Sequence, residues 1–276
     1  MAFTLLYGLW LSVIAPLFFH PHGAPKPKEV TIDMKADFSS FQVEGSFLLY
    51  DPLANQYTMY NKSNAKKGYL PASTFKIPNT LIGLETRTIT DPNEKIKWDG
   101  VKRQIESWNQ DTDLQMAFTN STVWYYQRIA RMVGEKPMQQ WVKKLRYGNQ
   151  NIQGGVDQFW LSGKMRITSY EQIDFLRRVY LHQIPVSTAN IALLEKLMIK
   201  KEGEGWILRG KTGWTEQDGR QVGWFVGYLT KGERVYFFAT QVHAKTEVPQ
   251  FITSRLALTE IGLQKMGLIP ATTSSN

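Results

Sequence analysis

Apolar runs bounded by turn residues predict β-strands near both ends of the chain. Residues 42–50 and 56–60 flank the turn Asp51-Pro52-Leu53-Ala54-Asn55, an arrangement typical of two paired strands. Similar runs nearer the C-terminus predict strands at 206–211, 221–230 and 234–242. A turn containing Lys231 and Gly232 joins the last two as a hairpin. The strands therefore come from two distant parts of the sequence.

Helical spacing dominates between these two groups of strands. In one segment, Tyr170, Ile173 and Leu176 recur on one helical face, while charged residues fill other positions. Segments of this kind predict helices at 73–84, 115–133, 138–145, 169–181 and 188–200, with another at 250–266. Pro78 argues locally against a regular helix in the first segment, because proline lacks a backbone N–H.

Together these elements predict a mixed α/β fold of the α+β type, in one domain over residues 25–276. An antiparallel sheet built from both chain ends, at about 40–70 and 201–268, is expected to carry flanking helices. A mainly helical region, at about 71–200, is inserted between the two parts of the sheet. We expect a cleft where the sheet and the helical region meet, because ligand sites are common at such junctions.

The first 24 residues differ in composition from the rest of the chain. Residues 1–19 contain no charged side chain and are mostly apolar, and Ala24 precedes a linker at 26–28. The segment predicts an export signal over 1–24, and hence secretion to a periplasm with no stable membrane span after processing. It lacks a cationic start and a well-defined cleavage site, so a retained anchor stays an alternative, although Pro16 interrupts the apolar run.

Charge and composition narrow the possible partners. The 33 Lys and Arg residues outnumber 24 Asp and Glu, giving a formal net charge of +9, but they are scattered rather than clustered. This pattern disfavours nucleic-acid binding and suits an anionic small substrate. The chain has no cysteine, and its four histidines show no metal-ligand spacing, so we expect no metal site. Both a monomer and a dimer remain open.

The first candidate for catalysis is Ser73, with Lys76 one helical turn further on. This spacing places the hydroxyl and the amine on one helical face. A serine becomes a good nucleophile only when a neighbouring base takes its proton, and a lysine can be that base only if burial disfavours its charged form. The same spacing recurs at Ser63 and Lys66, so an N-cap serine beside a solvated lysine stays an alternative explanation.

Four further motifs also have ordinary structural explanations. They are Ser121-Thr122-Val123, Tyr147-Gly148-Asn149, Trp160-Leu161-Ser162-Gly163 and Lys211-Thr212-Gly213. The first lies inside a predicted helix, the second is typical of a turn, and the tryptophan of the third is typical of a core. The fourth, at the end of a predicted edge strand, offers a cation, a hydroxyl and bare backbone to an anion, but taken alone it is more typical of a turn after a strand.

Taken in order, the five motifs are far more specific than any one of them. S-x-x-K, S-x-V, Y-G-N, W-x-x-G and K-T-G, with the flanking sequences LPASTFKIPN, IKWDG and RGKTGW, closely resemble class D serine β-lactamases. The resemblance covers roughly residues 45–268. It implies the serine β-lactamase or penicillin-recognising fold, and hydrolysis of the β-lactam amide bond of penicillin-type antibiotics, which confers antibiotic resistance.

The resemblance implies a role for the first motif. Ser73 matches the acylated nucleophile, and Lys76 matches a lysine carried as N6-carboxylysine, the general base of acylation and deacylation. The resemblance thus implies no cofactor other than carbon dioxide, bound as the carbamate on Lys76. Carboxylation consumes a neutral amine, so burial that lowers the pKa of Lys76 would promote it.

The resemblance also implies roles for residues around this pair. Trp160 and Val123 would support the carbamate, and Ser121 would pass a proton to the leaving nitrogen with the help of Lys211. Backbone N–H groups of Ser73 and Trp214 would form the oxyanion hole. The implied substrate-binding residues are Thr212, Gly213, Arg255 and Leu161, with Arg255 clamping the substrate carboxylate.

Two positions depart from the family pattern. Asn120 precedes Ser121 where many relatives have an aromatic or aliphatic residue, which bears on substrate preference. Trp124 follows the S-x-V motif where proline is frequent.

Two other functions share part of these motifs. A penicillin-binding sensor domain acylates without turnover, although such domains normally follow several membrane spans. A peptidoglycan carboxypeptidase or transpeptidase shares S-x-x-K and K-T-G, but Y-G-N and W-x-x-G argue against it.

Overall fold

A computed structural model describes residues 25–245 and 247–271 of the chain. The predicted export signal at 1–24 lies outside these residues. Across the described part of the chain, no helix combines the length and the apolar character that a membrane crossing requires.

Seven strands form one sheet within the described residues. They are β1 (Lys28–Thr31), β2 (Glu44–Asp51), β3 (Gln56–Tyr60), β4 (Ile199–Gly203), β5 (Trp206–Gln217), β6 (Arg220–Lys231) and β7 (Arg234–Ala244), in the spatial order β1-β3-β2-β7-β6-β5-β4. The two chain ends meet where β2 pairs with β7, with Leu48 opposite Ala239. The prediction of a sheet drawn from both ends is confirmed.

The sheet is larger than predicted at both edges. β1 starts at Lys28, so the linker predicted there is wrong at its last residue, and the strand pairs in parallel with β3. The other strand pairs are antiparallel. β4 falls where the end of a helix was predicted. Both missed strands are short and largely exposed, so they carry little of the apolar pattern from which strands are recognised.

Helices cover both faces of the sheet. They are α1 (Lys35–Ser40), α2 (Lys62–Ala65), α3 (Lys76–Glu85), α4 (Leu114–Thr119), α5 (Val123–Val133), α6 (Glu135–Lys144), α7 (Ser169–Tyr180), α8 (Thr188–Leu197) and α9 (Phe251–Lys265), with short 3₁₀ helices at Ala72–Phe75 and Glu106–Trp108. Local signals fix several starts. A capping box between Thr168 and Glu171 opens α7, and the Asp113 carboxylate accepts from the N–H of Met116 at 2.8 Å at the start of α4.

One helix prediction is wrong. The segment 115–133 is two helices, α4 and α5, separated by a turn at residues 120–122. Ser121 has φ 58° in this turn, in the left-handed region, so the serine predicted to lie inside a helix lies between two helices. Pro78 falls in the first turn of α3, where a backbone N–H has no partner within the helix to lose.

Alternate residues of the central strands enter two separate cores. On β2, Leu48 packs into the core between the sheet and the helical region, whereas Phe47 and Leu49 pack on the opposite face with α1 and α9. Burial on both faces explains why the central strands read as continuous apolar runs rather than as alternating ones. The helical region is thereby held against one face of the sheet, next to β5.

Candidate active site

Ser73 and Lys76 lie at the junction of the two regions. Ser73 is in the 3₁₀ helix Ala72–Phe75, and Lys76 is the first residue of α3. The Lys76 amine donates to the Ser73 hydroxyl oxygen, with Nζ and Oγ 2.8 Å apart. Only 1% of Lys76 and 7% of Ser73 are exposed. The alternative of a solvated lysine beside an N-cap serine is therefore wrong.

Burial changes the acid–base chemistry of Lys76. Loss of hydration lowers the pKa of its amine from 10.5 to about 7. The amine lies over the ring of Tyr126, with Nζ 5.1 Å from the ring centre. A substantial fraction of the amine is therefore neutral at neutral pH. It can accept the Ser73 proton or react with an electrophile.

Hydrogen bonds from neighbouring segments hold the 3₁₀ helix that carries Ser73. The Ala72 N–H donates to the Trp160 carbonyl at 2.9 Å, and Ala72 has φ 50°. The Gln172 amide donates to the Thr74 hydroxyl at 2.9 Å, and the Thr74 hydroxyl donates to the Pro71 carbonyl at 2.7 Å. These bonds fix the backbone on both sides of Ser73, so that its hydroxyl keeps one geometry relative to the Lys76 amine.

The Y-G-N motif belongs to this support. The Tyr147 hydroxyl lies 3.3 Å from the Thr74 hydroxyl, and the Tyr147 side chain is fully buried. Gly148 has φ 51°, and a Cβ there would lie 2.4 Å from the Arg166 carbonyl oxygen, so only glycine fits. The Y-G-N motif contributes to the site by packing against the 3₁₀ helix that carries Ser73.

A second buried amine faces a second hydroxyl across the cleft. Lys211 Nζ donates to Ser121 Oγ at 3.0 Å, and Lys211 is fully buried. Burial, followed by the charges of Lys76, Lys200 and Arg255, holds the pKa of Lys211 well below its ordinary value. The site therefore holds two contacts between a buried amine and a hydroxyl, one at Lys76 and one at Lys211.

The K-T-G motif was predicted at the end of a strand, and this is wrong: it lies in the interior of β5, which continues to Gln217. β4 pairs only with the part of β5 between Trp206 and Arg209. Beyond that point, the free edge of β5 faces the 3₁₀ helix, and a Cβ on Gly213 would lie 2.9 Å from the Pro71 carbonyl oxygen. Glycine is thus required for the close approach of the strand to the nucleophile segment.

A cleft of about 300 Å³ opens above Ser73. It is lined by Ser73, Ile105, Trp108, Asn120, Ser121, Val123, Thr212, Gly213, Trp214, Ile252 and Arg255. Arg255 is buried, and its Nη1 donates to the Gly213 carbonyl, while its Nε has no hydrogen-bond partner among the described residues. Burial lowers the pKa of Arg255 to about 10, so it is a cation at neutral pH. The cleft therefore combines a hydroxyl that lies beside a buried amine with a buried positive charge.

Most predicted site residues line this cleft or lie directly behind it. Lys76, Lys211 and Trp160 are buried behind its wall, and Trp160 stacks on Phe75 with ring centres 5.2 Å apart. Leu161 is half-buried and not among the residues that line the cleft. Its carbonyl accepts from the Thr215 hydroxyl at 2.7 Å.

Three residues of the cleft wall were missed by the sequence analysis. Ile105, Trp108 and Ile252 come from a loop, a short 3₁₀ helix and α9. Ile105 and Ile252 are exposed, by 43% and 44%, and none of the three belongs to a recognisable motif. An apolar residue among polar neighbours is the one sequence signal that could have drawn attention to them.

Comparison with known proteins agrees with this geometry. Residues 45–256 match the family described as penicillin binding protein transpeptidase domain, so the protein has a penicillin-recognising fold. Beta-lactamase OXA-5 of Pseudomonas aeruginosa is 41% identical, over 76% of this chain and 80% of that protein. The chain belongs to the class D β-lactamase family.

Two solved structures show the range of that family's neighbours. The class D β-lactamase YbXI from Nostoc is 38% identical, with a TM-score of 0.82, over 86% of this chain and 100% of that one. The C-terminal domain of the Bacillus licheniformis BlaR penicillin receptor is 30% identical, with a TM-score of 0.85, over 90% of this chain and 100% of that one.

Proposed function

We propose that the protein hydrolyses the amide bond of penicillin-type β-lactams through an acyl-enzyme on Ser73, and so confers antibiotic resistance. The observation that carries this proposal is the buried Lys76 amine, 2.8 Å from Ser73 Oγ and with a pKa of about 7. A serine with a neutral base in contact is an activated nucleophile.

The acylation step follows from the two amine–hydroxyl pairs. Ser73 Oγ loses its proton to the base on Lys76 and attacks the β-lactam carbonyl carbon, while the N–H groups of Ser73 and Trp214 stabilise the oxyanion. The carbon–nitrogen bond of the ring then breaks. The leaving nitrogen takes a proton from Ser121, and the ammonium form of Lys211 returns a proton to Ser121 across the 3.0 Å contact and becomes the neutral amine.

We further propose that Lys76 works as N6-carboxylysine. The carboxylated side chain supplies a carboxylate oxygen that accepts a proton from Ser73 in acylation and from water in deacylation. Carboxylation needs a neutral amine and a dry pocket, and Lys76 has both. Trp160, fully buried beside Phe75, and Val123, at the first position of α5, would support this group.

Substrate binding draws on the charge and shape of the cleft. The Arg255 guanidinium and the Thr212 hydroxyl would hold the carboxylate of the antibiotic, and the net charge of +9 favours the approach of an anion. The apolar side chains Ile105, Trp108 and Ile252 would contact the substituent of the bicyclic core.

A second candidate is a penicillin sensor domain that acylates and stays acylated. Its support is the similarity to the BlaR receptor domain, over 90% of this chain. Mass spectrometry of the intact protein after a short pulse of benzylpenicillin separates the two functions. Hydrolysis requires a mass increase that appears and then decays, and Ser73→Ala should abolish it. A permanent adduct would establish the sensor, and no adduct together with no consumption of benzylpenicillin would overturn both functions.

Secretion is a separate proposal, supported by the apolar segment at 1–19. Expression of the full chain in a Gram-negative host, with fractionation and N-terminal sequencing of the mature protein, tests it. Full-length protein in the cytoplasm would contradict it.

A further inference from the structure

The turn that carries Ser121 is closed into a ring by two tryptophans. The Trp124 indole N–H donates to the Trp108 carbonyl at 2.8 Å, and the Trp108 indole N–H donates to the Asn120 carbonyl at 2.9 Å. The chain itself connects Asn120 to Trp124 through Ser121. The two hydrogen bonds and the backbone from Asn120 to Trp124 therefore form a closed ring that includes Ser121, the serine proposed to donate a proton.

This ring acts on a strained part of the backbone. Ser121 has φ 58°, which residues other than glycine rarely adopt, and it lies between the end of α4 and the start of α5. The Asn120 carbonyl is at the C-terminus of α4, where carbonyl groups lack partners within the helix. The Trp108 indole supplies that partner, so the turn is held in place from outside the helix.

We propose that Trp124 and Trp108 are positioning residues, which hold Ser121 Oγ within reach of Lys211. This inference rests on the proposed role of Ser121 in proton transfer. Trp124 is only 5% exposed and is not among the residues that line the cleft, so it does not contact a bound substrate directly. Trp108 both closes the ring and lines the cleft.

A matched control exists in the same loop. The Trp98 indole N–H donates to the Val101 carbonyl at 3.1 Å, a bond of the same kind that does not reach the Ser121 turn. Trp98→Phe removes one indole donor as Trp124→Phe does. The two variants therefore lose the same kind of donor, but from different targets and at different depths, since Trp98 is the more exposed of the two.

The test measures the acylation rate of Ser73 by benzylpenicillin for Trp124→Phe and Trp98→Phe, each in the wild-type and the Ser121→Ala background. We expect Trp124→Phe to slow acylation about three- to tenfold in the wild-type background, as expected for one lost hydrogen bond, and less than twofold in the Ser121→Ala background. Trp98→Phe should change either rate less than twofold. Replacing Trp124 with benzothienylalanine, which removes only the N–H, should reproduce the loss without disturbing packing.

An equal loss in both backgrounds, or no loss in the wild type, would overturn the inference. A second measurement is independent of activity: hydrogen exchange at the amides of Ser121 and Thr122 should be faster in Trp124→Phe than in Trp98→Phe. Unchanged exchange would also overturn the inference. Failure of the proposed function looks different, since it is the absence of acylation in the wild-type protein itself.

Discussion

The amine of Lys211 lies 3.0 Å from the hydroxyl oxygen of Ser121, although the two residues are 90 positions apart in the chain. One sits in the interior of β5 and the other in the turn between α4 and α5. This contact joins the sheet to the helical region beside the pair of Ser73 and Lys76, which supports the proposed route of a proton to the leaving nitrogen.

Removing the Ser121 hydroxyl should therefore slow acylation. We expect Ser121→Ala to lower the acylation rate constant by about 10²-fold, because a positioned general acid contributes at least that much. Stopped-flow measurement with a chromogenic cephalosporin checks it. Ser162→Ala, the same change at an exposed serine of the W-x-x-G motif, is the control and should leave the rate unchanged. Equal rates in both variants would exclude Ser121 from proton transfer.

The pH dependence of hydrolysis should follow Lys76. Its pKa of about 7 means that acidification protonates the amine, and a protonated amine can neither accept the Ser73 proton nor bind carbon dioxide. In CO₂-depleted buffer, kcat should fall as the pH drops through about 7, and bicarbonate should restore it. Steady-state rates across that range, with and without bicarbonate, are the measurement. Insensitivity to bicarbonate at every pH would count against carboxylation.

Lys76 should also reduce the stability of the fold in a pH-dependent way. Between pH 7 and 10.5, the unfolded chain binds a proton that the folded protein does not, so the free energy of unfolding rises with pH through this window. Lys76→Met removes the cost of burying the amine and should stabilise the protein by about 2–4 kcal/mol near neutral pH, and by less at higher pH. Urea unfolding in CO₂-depleted buffer near pH 7 and pH 10 tests this. A constant difference between the variant and the wild type would contradict it.

Trp160 should matter more for deacylation than for acylation. Trp160→Phe keeps a ring against Phe75 but loses the indole N–H, so the proposed carbamate would be held less firmly while Ser73 stays anchored. Single-turnover kinetics should show the acyl-enzyme forming at a nearly normal rate and decaying about tenfold or more slowly. Trp141→Phe, at a half-buried tryptophan beside Lys144, is the control. A similar loss in both steps would argue that Trp160 only supports the fold.

Arg255 should act mainly on substrate binding. Its guanidinium is fixed by the Gly213 carbonyl and stays charged at neutral pH, so Arg255→Ala should raise KM about tenfold or more, with a smaller change in kcat. Arg128→Ala, at an exposed arginine of α5, should leave KM unchanged and so controls for the loss of one positive charge. If the two variants had the same KM, a carboxylate clamp at Arg255 would be ruled out.

Much of the site could be predicted from the sequence, because its chemistry is local. Ser73 and Lys76 are three residues apart, so helical geometry alone brings them to one face, and five ordered motifs were enough to identify the family and its fold. The strands with strong apolar runs were found for the same reason. Burial on both faces of the sheet requires consecutive apolar residues in these strands, and such a run is visible in the local sequence.

Tertiary structure decided whatever depends on distant residues. The turn at Ser121 was predicted as helix because its local pattern is helical, and it is broken in the fold where two tryptophans and Lys211 hold it in a left-handed conformation. The edge strands β1 and β4 exist only because a neighbouring strand offers them hydrogen bonds. The burial of Lys76, and hence the pKa of its amine, is also a property of packing. It depends on how completely residues from distant parts of the chain exclude water from the amine, and the local sequence does not determine this.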